Sequence, residues 1–82
     1  MMNDQDILKH IQELVNEEHQ LMERHTTKAD LDADQHARMQ ALEVSLDQCW
    51  DLLRQRRARR SAGFDPDGAH ERDANTVEHY LQ

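Results

Sequence analysis

The sequence predicts an all-α fold: an antiparallel helical hairpin with a short C-terminal tail helix, pairing with a second copy into a four-helix, coiled-coil-like arrangement. Three observations lead there. The 82 residues are 37% apolar and 33% charged, with two glycines and one proline, a composition that suits long solvated helices and neither a sandwich nor a barrel. Met39, Leu42, Leu46, Cys49, Leu53, Arg56 and Arg60 alternate steps of three and four, the spacing of a helix stripe that faces another helix. Only the short stretch His25 to Asp34 interrupts helical periodicity before that stripe, and short connections make antiparallel neighbours.

The first helix is expected from about residue 4 to 25. Asn3 or Asp4 can cap it, and Asp4 and Asp6 put negative charge where the helix dipole favours it. Ile7, Leu8, Ile11, Leu14, Val15, Leu21 and Met22 share one face, interrupted by Glu18, which we read as an edge residue in preference to a register-setting polar contact.

Leu31, Asp32 and Gln35 have the pattern of a hydrophobic residue before an N-cap and capping box, so the second helix should begin at Ala33 and run to about 61. With the turn centred near Ala29, Leu21 should lie across from about residue 37 and Ile7 from about residue 51. The second helix is the longer one, so its C-terminal end should project past Asp6 and Asp4.

Residues 1–62 therefore form the hairpin, and 63–82 a turn and docked tail. Gly63 is placed to end the second helix, with Phe64 folding back as the apolar contact that accompanies such caps. Asp65-Pro66-Asp67-Gly68 is a turn signal. Val77, Tyr80 and Leu81 stand at helical spacing after a cap at Asp73 or Asn75, enough for a helix of one or two turns that needs docking.

A chain this short buries only roughly 60 to 65% of the surface its unfolded form exposes, which makes self-association the expected remedy. No apolar run approaches membrane-spanning length, and MMNDQDILKH lacks the basic-then-apolar order of a signal peptide, so the expected location is cytoplasmic, with no membrane partner. The single cysteine, Cys49, excludes an intramolecular disulfide; on the apolar stripe it reads as a small buried hydrophobe in the hairpin seam. Trp50, next to it but about 100° round the helix, should be covered by the tail or by a second copy.

LEVSLDQCWDLLRQRRARR, the following GFDPDGAHER and the terminal VEHYLQ together resemble a family of small actinobacterial proteins catalogued as a domain of unknown function. The resemblance covers nearly the whole chain and is most specific in Leu42 to Arg60. It implies a short all-helical bacterial protein and brings no activity, ligand or catalytic residue with it.

Motifs with chemistry are absent: no glycine-rich phosphate loop, no CxxC, no HExxH and no Glu-x-x-His pair on an apolar face. His19 with Glu23, and Asp32 with His36, are four apart and read as solvated charge pairs in preference to a weak metal site. Ser45 and Cys49 share a face with no histidine to activate either. No catalytic residue, metal or cofactor is therefore expected.

Two charged features remain as interaction candidates. Asp30, Asp32 and Asp34 cluster at the hairpin tip. Factors that enter the secondary channel of bacterial RNA polymerase present acids at such a tip, but capping of the second helix by Asp32 explains this cluster more simply. Arg54, Arg56, Arg57, Arg59 and Arg60 supply half of the ten basic residues. Residues 1–53, with four bases against twelve acids, carry -8; residues 54–60 carry +5; the rest, with Arg72 against five acids, carry -4. Arginines set between two acidic segments are expected to pair with Asp4, Asp6, Asp65, Asp67 and Asp73 and not to bind nucleic acid. The functional expectation is a non-enzymatic interaction protein that forms a homodimer and binds an as yet unidentified protein. The alternative is a regulator of the transcription or translation machinery acting through the acidic tip or the arginines.

Overall fold

The computed structural model describes residues 3–23, 25 and 30–81, and among them there is no strand. Helix α1 spans Asp4–Met22, α2 spans Ala33–Ser61, a 3-10 turn covers Pro66–Gly68, and α3 spans Ala74–Leu81. Both long helices begin with the reciprocal bonds of a capping box. The Asn3 side chain accepts the Asp6 N–H at 2.8 Å, and Asp6 accepts the Asn3 N–H in return. Asp32 and Gln35 do the same for α2, with bonds of 2.8 and 3.0 Å, so α2 starts where the sequence placed it.

The end of α1 differs from expectation: Met22 is its last residue, not His25. The Glu23 N–H turns to the Gln20 carbonyl three residues back, and no apolar position beyond Met22 gives the helix anything to pack with. Residues 24 and 26–29, including Ala29, lie outside the described residues. The pairing of Asp4 with Arg56 and of Glu17 with Arg38 nevertheless brackets the register expected for a turn near Ala29.

The core lies along one seam. Ile7, Ile11 and Leu14 of α1 and Met39 and Leu42 of α2 are buried, with Leu31 closing the tip end. The stripe read from Met39 to Arg60 therefore does face α1, half-buried at Leu46, Cys49 and Leu53 and again buried at Arg56. Leu8 departs from expectation: it is 48% exposed, because its place on the helix turns it away from Ile7 and Ile11.

After α2 the chain turns back through a full Schellman motif. The Phe64 N–H bonds the Arg59 carbonyl at 2.8 Å, the Gly63 N–H bonds the Arg60 carbonyl at 3.1 Å, and Gly63 takes φ +80°, where a side chain would strain the backbone. Phe64 itself is 63% exposed, and Arg59, at the position where such a cap usually holds an apolar partner, lies with its guanidinium 5.6 Å from the ring centroid.

The tail then runs along α2 on the polar stripe Gln48, Asp51, Gln55. The Gln48 amide donates to the Arg72 carbonyl at 3.2 Å, and the Gln55 amide donates to the His70 carbonyl at 2.6 Å. Asp51 is buried between the Gln55 amide at 2.8 Å and the Arg72 guanidinium at 3.5 Å. Val77 on α3 is sealed at 1% exposure; the side chains of Tyr80 and Leu81 lie outside the described residues. The principal extents are 47 × 25 × 17 Å, an elongated hairpin with the tail laid along it.

Candidate functional site

The arginine-rich end of α2 lies beside the first turn of α1 and the turn after Gly63, and the five guanidiniums divide between two tasks. Arg56 is 6% exposed, its Nε 2.5 Å from Asp4 Oδ1 and its Nη1 2.9 Å from Asp67 Oδ1. Arg60 takes the other oxygen of Asp4. Two guanidiniums on one carboxylate, Arg60 first and then Arg56, hold the Asp4 carboxyl at about 2, below its ordinary 3.8. Arg56 in turn is raised, chiefly by Asp4 and then by Asp67. Arg59 donates to the Asp65 carbonyl at 2.6 Å and lies over Gly68, where an added Cβ would stand 2.2 Å from its Nη2.

Arg54 and Arg57 do something else. Both are exposed, and neither has an ion-pair or hydrogen-bond partner among the described residues. With Leu8, Trp50, Leu53 and the paired Asp4 and Arg60 they line a groove of about 280 Å³. Trp50 is 45% exposed there, so the tail does not cover it, contrary to one of the two arrangements expected. The reason is geometric: the tail follows the stripe that contains Asp51, and neighbouring residues on a helix point about 100° apart.

Not every expected acid joins the arginines. Asp6 is held in the capping box of α1. Asp73 caps α3 by accepting the Thr76 N–H at 2.8 Å, a bond that lowers its carboxyl below the usual range. Asp65 contributes its backbone carbonyl, while its carboxylate accepts the Asp67 N–H. At the tip, Asp32 is likewise occupied as a cap, with Asp34 in the first turn of α2 and Asp30 exposed just before it. Cys49 is half-buried, and burial, then the nearby Glu71, pushes its thiol up and away from the reactive thiolate.

Sequence reasoning missed Gln48, Asp51, Gln55 and Arg72, which strap the tail, and the Glu17–Arg38 pair across the hairpin. Among the described residues, no group of three or more His, Cys, Asp or Glu side chains is placed to hold a metal ion. No described helix is long and apolar enough to cross a membrane.

Fold and surface together define a small helical-hairpin protein with a strapped tail and one uncovered aromatic–arginine face. The chain belongs to the family described as Protein of unknown function (DUF2630), which it matches over residues 3–82. It is 43% identical over 77 residues to Uncharacterized protein Rv0898c of Mycobacterium tuberculosis (strain ATCC 25618 / H37Rv), covering 94% of this chain and 88% of that protein. The same figures hold for Uncharacterized protein Mb0922c of Mycobacterium bovis. The resemblance to small actinobacterial proteins of unknown function is thus established. No solved structure matches the chain.

Proposed function

We propose that the protein is a non-enzymatic interaction module of the cytoplasm, acting through self-association and protein binding on the face that carries Leu8, Trp50, Leu53, Arg54 and Arg57. One observation carries this reading: Trp50 and Leu8, at 45% and 48% exposure, line one groove together with Arg54 and Arg57, which have no ion-pair or hydrogen-bond partner among the described residues. Aromatic and arginine side chains together are the composition of interface centres. Beside this face Arg56, Arg60, Asp4 and Asp67 are paired within the chain, and the buried apolar core is short, running through Ile7, Ile11, Leu14, Leu31, Met39, Leu42 and Val77. The raised Cys49 thiol argues against a thiolate nucleophile at that position.

Light scattering on the full chain at micromolar concentration tests the reading. A particle near twice the 9.7 kDa chain mass supports it, and a monomer that unfolds cooperatively overturns the self-association.

A further inference from the structure

Glu43, Asp47, Trp50, Arg54 and Arg57 follow one another along α2 at steps of four, three, four and three, so they form a second stripe beside the one that packs on α1. Its charge order is unusual for a solvated helix face. Such faces place opposite charges three or four residues apart, whereas here the pairs at that spacing are alike: Glu43 with Asp47, and Arg54 with Arg57. Within this stripe the nearest opposite charges, Asp47 and Arg54, are seven residues apart, roughly 10 Å along the axis and too far to meet, and Asp51, the acid three residues before Arg54, is held by Gln55 and Arg72. Glu43 has contacts of its own within the chain, but Arg54 and Arg57 have none among the described residues.

The stripe reads acid, acid, tryptophan, arginine, arginine, and it is complementary to itself reversed. An antiparallel second copy with its two-fold axis at Trp50 sets position 43 against 57 and brings position 47 to within one residue, about 1.5 Å along the axis, of position 54. All four charge positions then face opposite charges, and the two exposed indoles meet at the centre, over the groove formed with Leu8 and Leu53. In this register positions 39 to 61 of the two helices overlap, nearly the whole of α2.

We propose that two copies of this chain associate isologously through the Glu43–Asp47–Trp50–Arg54–Arg57 stripe, antiparallel about Trp50, with Asp47 of each copy paired to Arg54 of the other. The proposal rests on the self-association reading and names its geometry. Arg54 is exposed and Asp47 half-buried outside the seam, so helix content is checked alongside each reversal.

The test measures dissociation by sedimentation for wild type, Arg54→Glu, Asp47→Arg and an equimolar mixture of the two variants, with circular dichroism confirming helix content. Each single variant places like charges together twice per dimer, and its dissociation constant should rise about tenfold or more at low ionic strength. Mixing the variants restores opposite charges at both contacts, so a heterodimer near wild-type strength is expected. Should either variant lose helix content, Arg54→Gln and Asp47→Asn are to be measured in its place; a weakening in both supports the pairing. Variants that self-associate as tightly as wild type, or a mixture that shows no recovery, overturn this interface while self-association stands. A wild-type chain that stays monomeric overturns both.

Discussion

Arg56 and Asp4 stand 52 positions apart in sequence and 2.5 Å apart in the structure, joining the overshooting end of α2 to the first turn of α1. Arg56 also holds Asp67, so a single buried guanidinium ties together the hairpin's open end and the turn that starts the tail. Replacing Arg56 by Gln should destabilise the fold, because two partly exposed carboxylates lose charge-assisted bonds to a guanidinium that is itself buried. Arg57→Gln, one residue on and facing solvent, should change stability by less than about 0.5 kcal/mol. Urea unfolding midpoints of the two variants, measured well above any dissociation concentration, check the contrast.

The same cluster makes stability depend on acid. Asp4 has a folded value of about 2 against an ordinary 3.8, so the folded state binds its proton less readily than the unfolded chain. Its contribution is complete above about 4 and is lost as the pH falls from there through 2. Thermal unfolding between pH 5 and 2 should show this decline, and Asp4→Asn should flatten the part due to this group. A variant whose acid profile parallels wild type would contradict the assignment.

Tail docking depends on Val77 and on the polar strap of Gln48, Asp51 and Gln55. Val77→Ala should cost roughly 1–3 kcal/mol locally by removing buried methyl groups. Amide exchange should accelerate across α3 while the middle of α1 stays protected. Equal acceleration in both helices would mean that tail and hairpin open as one unit.

The two glycines behave differently. Gly63 sits at φ +80° with open space around it, so Gly63→Ala should cost about 1 kcal/mol through the backbone alone. Gly68 shows no such dihedral but is crowded by the Arg59 guanidinium, so Gly68→Ala should displace Arg59 from Phe64 and leave the cap intact. Melting temperatures for both variants and for Arg59→Gln in combination with each separate these effects: Arg59→Gln should mask the Gly68 change and add to the Gly63 change.

What was legible in the sequence follows from how local the chemistry is. Asn3, Asp32 and Gly63 act within a few residues of their own backbone, and their caps could be read directly. The arginine run was only partly legible: Arg56 and Arg60, on the stripe from Met39, do pair with Asp4, whereas Arg54 and Arg57, expected to pair with acids as well, have no such partner among the described residues. The tail's course was hidden because Gln48, Asp51 and Gln55 look like an ordinary solvated face until a segment twenty residues away lies across it. Phe64 misled for a related reason, since the position that usually receives an apolar partner holds Arg59. Asp6 and Asp73 were drawn toward the arginines by charge alone, although capping geometry claims each of them first.

Trp50 is the chain's one tryptophan, so its emission reports directly on the face that carries the proposed function. The decisive measurement is the emission maximum and iodide quenching of the full chain as it is diluted from high micromolar to nanomolar concentration. Self-association through this face predicts a shielded, blue-shifted indole at high concentration that becomes red-shifted and readily quenched on dilution, in step with the loss of dimer by light scattering. An indole that is red-shifted and quenched to the same degree at every concentration would contradict the account.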